Sequence, residues 1–405
     1  MTVRLGVALL LAAALAGCAA RQVPPPALAP VAPPAAPATP AAPPPFRLSR
    51  ASFADLPGWN AGAVEDARAS FRRGCAALAR RDANAAMGGA GYAGAVRDWL
   101  SVCGDTSADA RNFFQSRFTP YAIGNGADTH GLFTGYYEPL IEASRTRGGI
   151  YQTPVYGLPA DLVQVNLSAW DSRYAGQRIS GRVENGRLVP YATRAQINAN
   201  PPNAPVLFWA ADPVAVFFLE IQGSGRARLP DGGMVRLAYA GGNGQPYTPI
   251  GRTLIQEGQL TRETVSLQSI RAWLKANPSQ AQRVMETNLS YVFFQQEALA
   301  PDVPGPNGTL GVPLTPKASL AIDARLNALG APFFVVAEGR DPVQALMIGQ
   351  DTGGAIAGAV RGDIFFGFGE EAEQRAGFMN AQGRLYVLLP NELAAQIGQG
   401  RDYSP

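Results

Sequence analysis

The chain has 405 residues, 47% of them hydrophobic and 16% charged, with a formal net charge of +3. That length accommodates two ordinary domains or one large one, and the charge is too small to mark a surface for nucleic acid or another polyanion. His130 is the single histidine, which removes most multi-histidine metal sites and leaves little support for a histidine-based triad. Cys/His ligand spacing is absent too, so neither a metal nor an organic cofactor is implied, and His130 beside Gly131 reads as structural.

Residues 1–17 read as a secretory signal, in which Arg4 supplies the charged start and the apolar run that follows is too short to span a bilayer. The run ends in Leu15-Ala16-Gly17-Cys18, which resembles the bacterial lipobox, so Cys18 is expected to carry lipid. A plainly cleaved signal is the alternative. With Ala19 rather than aspartate after the cysteine, resemblance to such lipoproteins favours the periplasmic face of the outer membrane. Residues 18–45 then form a lipid-anchored linker rich in proline and alanine, a composition that builds no core and favours polyproline II. At about 3.1 Å per residue such a tether reaches roughly 70 Å.

From residue 61 to about 118 apolar residues recur at helical spacing, as in Val64, Ala67, Phe71, Cys75 and Leu78, then Val96, Trp99, Leu100 and Cys103. If Cys18 carries lipid, Cys75 and Cys103 remain as an even pair in an oxidising compartment. A disulfide between two helices is expected, two separate buried thiols being the alternative. Beyond His130 the pattern predicts strands over 132–137, 206–209, 215–221 and 234–239, then helices over 250–257 and 267–284. Strands return over 291–294, 333–336, 364–366 and 385–389, with one helix over 317–329 among them. Short strands broken by glycine predict a mainly β architecture with helices, barrel-like in type.

Toward the C-terminus Gln350-Asp351-Thr352-Gly353-Gly354 precedes Arg361-Gly362-Asp363-Ile364-Phe365-Phe366-Gly367. Two carboxylates at strand edges beside glycines suit acid/base chemistry, although aspartate before threonine or glycine is also an ordinary turn residue. Asp351-Thr352-Gly353 has the form of an aspartic peptidase signature. Such a site shares one proton between two copies, and no second copy occurs in the chain. Gly223-Ser224-Gly225-Arg226 lacks the Lys-Ser/Thr of a phosphate-binding loop.

Five runs carry a resemblance when taken in order. They are Gly131-Leu132-Phe133-Thr134-Gly135-Tyr136-Tyr137-Glu138-Pro139, Glu220-Ile221-Gln222-Gly223-Ser224-Gly225, the stretch 239–247 leading to Ile250-Gly251, Asn288-Leu289-Ser290-Tyr291-Val292-Phe293-Phe294, and the two-aspartate stretch. Together they resemble the membrane-bound lytic murein transglycosylase A family. The resemblance implies a double-psi β-barrel domain assembled from residues 46–140, which include the N-terminal helices, and 286–405. A second β domain, 141–285, is inserted between them, with a glycan-binding groove at the junction. The C-terminal part resembles a module named for three aspartates, here Asp323, Asp351 and Asp363. By that match Asp363 is the catalytic acid, with Asp351 and Asp323 supporting it. Thr134, Gly135, Tyr136, Tyr137, Gln222, Gly223, Ser224, Asn243, Tyr247, Gly353 and Gly354 are the implied substrate contacts.

The implied reaction cleaves the β-1,4 bond between N-acetylmuramic acid and N-acetylglucosamine. The muramyl C6 hydroxyl attacks its own C1 and leaves a 1,6-anhydro end. One carboxyl suffices, as acid toward the leaving oxygen and then as base toward the attacking hydroxyl, and no water-activating partner is required. To start protonated near neutral pH, Asp363 must titrate about two units above free aspartate, equivalent to about 3 kcal/mol against its anion. Burial beside Phe365 and Phe366, or a like charge on Asp351, acts in that direction. The implied partners are peptidoglycan glycan strands, the membrane through the anchor, and cell-wall synthesis or lysis complexes. A non-catalytic peptidoglycan-binding scaffold is the alternative function.

Overall fold

A computed structural model describes residues 46–397 except 108, 172–173, 175–176 and 301–302, together with the short strand Asp402–Tyr403. The secretory signal, Cys18 and the proline-rich linker lie outside the described residues.

The first described strand, β1 (Phe46–Arg50), is followed by α1 (Glu65–Leu78), α2 (Val96–Cys103) and α3 (Ala110–Arg117). Cys75 and Cys103 are bonded, with their Cα atoms 5.7 Å apart, and so join α1 to α2. Phe71, Phe113, Phe114 and Phe118 pack edge-on and tilted against one another, and Asp109 caps α3 by accepting from the N–H groups of Arg111 and Asn112.

The chain continues through β2 (Phe118–Asn125), β3 (Gly131–Glu138), β4 (Leu140–Ser144), β5 (Thr153–Tyr156), β6 (Val163–Asn166), β7 (Arg178–Glu184) and β8 (Arg187–Pro190). Next come α4 (Arg194–Ala199), β9 (Val206–Ala210), α5 (Pro213–Gln222), β10 (Gly225–Arg228), β11 (Met234–Gly242), α6 (Ile250–Gln256), α7 (Leu267–Ala276), α8 (Pro278–Glu286) and β12 (Val292–Glu297). The last part holds β13 (Ser319–Ala321), β14 (Pro332–Ala337), β15 (Val343–Asp351), β16 (Arg361–Phe368), α9 (Glu370–Phe378), β17 (Asn380–Pro390), α10 (Asn391–Gln396) and β18 (Asp402–Tyr403).

Six strands in the order β14-β15-β13-β16-β3-β17 form a ring, because β17 pairs back onto β14. Ring closure leaves no free edge along the joined strands. β2, β1 and β18 extend the sheet outward from β17. A single strand serves three partners here: residues 380–383 of β17 pair with β3, 383–387 with β14 and 386–390 with β2. The second sheet, β12-β11-β10-β4-β9-β5, is made from the intervening segment, and a bridge between Gly157 and Phe294 brings its two ends together. A separate three-stranded sheet, β6-β7-β8, belongs to the same segment.

Three expectations change. Residues 215–221 are helical, as part of α5, because their apolar run is buried on all sides and bounded by helix signals: Asp212 accepts from Val214 N–H, Pro213 occupies the first turn, and Gly223 ends the helix at φ 78°. Residues 317–329 are not a helix; Ser319–Ala321 is the ring strand β13, drawn between β15 and β16 by long-range pairing that local spacing does not encode. The second sheet also extends past residue 285, since β12 pairs along β11. In addition, the helical stretch 267–284 is two helices, broken at Asn277-Pro278.

Candidate active site

β3 and β16 run parallel in the ring with Thr134 opposite Asp363, and β13 lies on the other side of β16 with Ala321 opposite Asp363. Side chains alternate across a strand, so Thr134 and Tyr136 project to one face of β3 while Phe133 and Tyr137 enter the main core on the other. On β16 the same alternation puts Ile364 and Phe366 in that core, and places Phe365 in a small apolar cluster with Tyr136, Leu314, Ala321 and Ile356. Asp363 sits beside this cluster.

Thr134 donates its hydroxyl to Asp363 Oδ1 at 2.6 Å. Arg361, two residues before Asp363 on the same strand, donates Nη2 to Thr134 Oγ1 at 2.8 Å and Nη1 to the Leu132 and Gly362 carbonyls. Burial pushes the Asp363 carboxyl above its ordinary range; the Thr134 hydrogen bond and the Arg361 charge oppose the rise, and the charge of Asp351 adds to it. Among the described residues Asp363 Oδ2 makes no hydrogen bond.

Asp351 closes β15 and is gripped from three directions. Tyr136 donates its hydroxyl to Oδ2 at 2.9 Å, while Oδ1 accepts from the Thr309 N–H and hydroxyl, each at 3.0 Å, and from the Thr352 N–H at 2.9 Å. Burial raises this carboxyl as well, against those hydrogen bonds. Tyr136 is buried between the two carboxylates, and burial followed by their charges pushes its phenol well above the usual range, so it remains a donor. Tyr247, between β11 and α6, is 36% exposed, and its phenol is raised first by partial withdrawal from solvent and then by the Asp363 charge. Gly353 and Gly354 lie in the exposed loop that follows Asp351.

The third aspartate does different work. Asp323 is buried, yet Arg325 binds both its oxygens at 2.9 and 2.7 Å and Gly358 N–H adds a bond at 2.9 Å. Burial alone would raise it, but those bonds together hold it below its ordinary range. It joins the turn after β13 to the loop before β16.

Several expected contacts are placed elsewhere. Tyr137 is 1% exposed, with its hydroxyl toward Arg271 and Glu373 rather than toward Asp363. Gln222 accepts from the Tyr137 N–H at 3.0 Å and thereby ties the end of α5 to β3. Gly135 allows close packing: a Cβ there would stand 2.5 Å from Phe366 and 2.9 Å from the backbone of α9. Gly223 is the cap of α5, and Ser224 is buried behind it. Asn243 is fully buried, its amide donating to the Ala192 and Leu289 carbonyls and its Oδ1 accepting from Tyr291 N–H, so it clamps three segments and has no group left for a ligand. The structure therefore gathers Thr134, Tyr136, Asp351 and Asp363, leaves Tyr247 exposed and joined to them by no hydrogen bond, and assigns Tyr137, Gln222 and Asn243 to the supporting frame.

Two polar residues at the site were not singled out from the sequence. Arg361 carries a usable signal, since a strand places residue i−2 on the same face as Asp363. Thr309 carries none, because it reaches Asp351 across 42 residues from a loop rich in glycine and proline. Among the described residues no group of three or more His, Cys, Asp or Glu side chains is arranged to hold a metal ion. The chemistry available is proton transfer by a half-buried carboxyl with a second carboxylate and a tyrosine beside it.

Comparison with known proteins matches residues 132–295 to the family described as the MltA specific insert domain and residues 318–389 to the 3D domain. Membrane-bound lytic murein transglycosylase A of Escherichia coli K12 is 33% identical over 319 residues, covering 76% of this chain and 78% of that protein. A crystal structure of a membrane-bound lytic murein transglycosylase from Agrobacterium tumefaciens superposes with a TM-score of 0.74 at 30% identity, covering 86% of this chain and 99% of that one. The E. coli MltA crystal structure with bound chitohexaose gives a TM-score of 0.60 at 27% identity, covering 85% and 94%.

Proposed function

The chain belongs to the membrane-bound lytic murein transglycosylase A family, and from that premise we propose that it cleaves peptidoglycan with Asp363 as its single acid and base. The observation that carries the residue assignment is the setting of Asp363: one oxygen is bonded to Thr134, the other is unbonded among the described residues, and burial together with Asp351 disfavours its anion. A carboxyl kept protonated in this way protonates the leaving glycosidic oxygen between N-acetylmuramic acid and N-acetylglucosamine. The resulting carboxylate then accepts the proton of the muramyl C6 hydroxyl as that oxygen bonds to C1, and a 1,6-anhydro end results. Because the nucleophile is part of the same sugar, it needs no second carboxylate and gains from proximity.

The glycan strand runs, on this reading, in a groove between the closed ring and the second sheet, bordered by Tyr136, Tyr247 and the Gly353-Gly354 loop. The ring is read as a double-psi β-barrel and the second sheet as an inserted domain from about residue 140 to 297, with the remaining residues from 46 to 405 completing the barrel domain. The chitohexaose bound in the E. coli MltA structure supports a glycan ligand. Lipid on Cys18 and a proline-rich tether would hold the protein at the periplasmic face of the outer membrane, within reach of peptidoglycan and of cell-wall synthesis or lysis complexes. No helix among the described residues is long and apolar enough to cross a membrane.

Digesting purified sacculi with the parent protein and Asp363→Asn, and weighing the products by mass spectrometry, tests the proposal. The expected result is anhydro-muropeptides from the parent and none from the variant, which still binds sacculi. Reducing-end products would mean hydrolysis, and no soluble product from the parent would turn the reading to a scaffold. Equal activity of the variant would remove Asp363 from the mechanism.

A further inference from the structure

We propose that Arg361 is a positioning residue for this reaction: by donating to Thr134 it commits the threonine proton to Asp363 Oδ1 and leaves Oδ2 as the oxygen that gives and takes the catalytic proton. The inference rests on the reading of Asp363 as the acid and adds to it a choice of oxygen and a residue that makes the choice.

A threonine hydroxyl has one proton and two lone pairs. Arg361 Nη2 at 2.8 Å occupies a lone pair of Thr134 Oγ1, and the single proton then has Asp363 Oδ1 at 2.6 Å as its acceptor. Arg361 cannot turn away easily. Its other arm donates to the Leu132 carbonyl at 3.2 Å and the Gly362 carbonyl at 2.5 Å, and the residue is 9% exposed. A guanidinium has no acceptor and stays charged, so the direction of donation is fixed from Arg361 through Thr134 to Asp363. With Oδ1 an acceptor in both protonation states, the acid proton resides on Oδ2. During cleavage the Oδ2 proton passes to the glycosidic oxygen as the C1–O bond breaks and its electron pair stays with that oxygen. Oδ2 then takes the proton of the C6 hydroxyl as the new C1–O bond forms, so the carboxyl is restored.

Several groups lie within charge or hydrogen-bond range of Asp363: Arg361 on its own strand, Thr134 and Tyr136 on β3, Asp351 at the end of β15, and the exposed Tyr247 between β11 and α6. Of these, the Thr134 hydrogen bond and the Arg361 charge favour the Asp363 anion, while Asp351 disfavours it. Removing either favourable group keeps the acid protonated to higher pH, so the alkaline fall in kcat/KM moves upward.

The test uses the full chain on purified sacculi, with anhydro-muropeptide release followed from pH 5 to pH 9 and folding followed by thermal unfolding. Thr134→Val and Arg361→Gln are each expected to lower kcat about tenfold through misorientation of the carboxyl and to move the alkaline limb upward. Thr134→Ser, which restores the hydroxyl, is expected to return the parent limb and activity within about threefold. The Thr134→Val/Arg361→Gln pair is expected to lose no more than about threefold beyond the worse single variant, since both act through one hydroxyl. An unmoved limb in folded Thr134→Val, or multiplying losses in the double variant, overturns the proposal. If Arg361→Gln does not fold, Arg361→Lys takes its place, and parent-like kcat in that variant overturns the role of the fork. An active Asp363→Asn would instead overturn the reading beneath it, a distinguishable result.

Discussion

Two carboxylates on neighbouring ring strands, Glu138 of β3 and Asp363 of β16, meet opposite fates. Glu138, at the end of β3, is fully enclosed and bound by Arg236 at 2.8 Å and Arg226 at 3.0 Å, both from the second sheet. Asp363, opposite Thr134 four residues earlier on β3, has a neutral hydroxyl as its direct partner, and the nearest arginine is one bond further away. A carboxylate that meets two guanidiniums is compensated and fixes the junction between the ring and the second sheet. One that has only a neutral hydroxyl as direct partner is left with burial and a like charge working against its anion. Burial points the same way, since Glu138 is fully enclosed while Asp363 is half-buried. Asp323 falls on the side of Glu138, through its bidentate contact with Arg325.

Substituting each carboxylate should break this contrast if it is wrong. Asp363→Asn is expected to lower the rate of anhydro-muropeptide release by about a thousandfold or more, within the range for removal of a general acid. It should also raise the thermal midpoint at pH 7. The folded-state pKa of Asp363 lies above that of the unfolded chain, so the folded protein binds more protons and loses stability as pH rises through that window. The asparagine escapes this loss, and the gain should vanish at a pH below the unfolded aspartate range, near 3.9. A variant with unchanged activity, or a midpoint lowered at pH 7, would contradict the assignment.

Glu138→Ala is expected to cost about 3–5 kcal/mol of stability in urea unfolding, because two arginines lose their partner in a buried site. The alkaline limb of the folded fraction should stay at the parent position. A shifted limb would mean that the junction and the acid are not separate. Replacing Cys75 and Cys103 by serine is expected to cost about 3 kcal/mol through the freed unfolded chain, with the rate on sacculi unaffected. The smallest effect is expected from Asp351→Asn. Losing a like charge lowers the Asp363 pKa, so the alkaline limb should move to lower pH, in the opposite direction to Thr134→Val; a limb moved upward would refute the charge coupling.

Much of the fold was legible because local chemistry was consistent. The disulfide followed from an even cysteine pair in an exported chain, with helical spacing placing it on two segments. β3, β9, β11, β12, β14, β16 and β17 followed from apolar runs between glycine and proline signals, whereas the other strands, β2 and β15 of the larger sheet among them, were not legible. Two failures have clear causes. In α5 every face is covered, so the apolar run lost its period; the caps Asp212 and Gly223 were the better evidence. Residues 319–321 had a helix-like spacing but were claimed by pairing partners on β15 and β16 that lie more than 25 residues away. The candidate contacts split for a related reason. Motif resemblance selected whole runs such as 131–139, whereas strand alternation gives only every second residue to one face, which kept Thr134 and Tyr136 and turned Tyr137 into the core.

The amino-acid sequence by itself determined the mainly β character with helices and the family resemblance that singles out Asp363, and it supplies the composition of residues 1–45 from which export and a tether are proposed, since these depend on composition, periodicity and motif order. Only the tertiary structure decided that β17 closes a ring, that Arg361 stands behind Thr134, that Thr309 reaches Asp351, and that Asn243 and Glu138 are spent on the frame. The physical reason is common to all of them. A polar side chain acquires its role from which donors and charges share its enclosed space, and that company is assembled from segments tens to hundreds of residues apart.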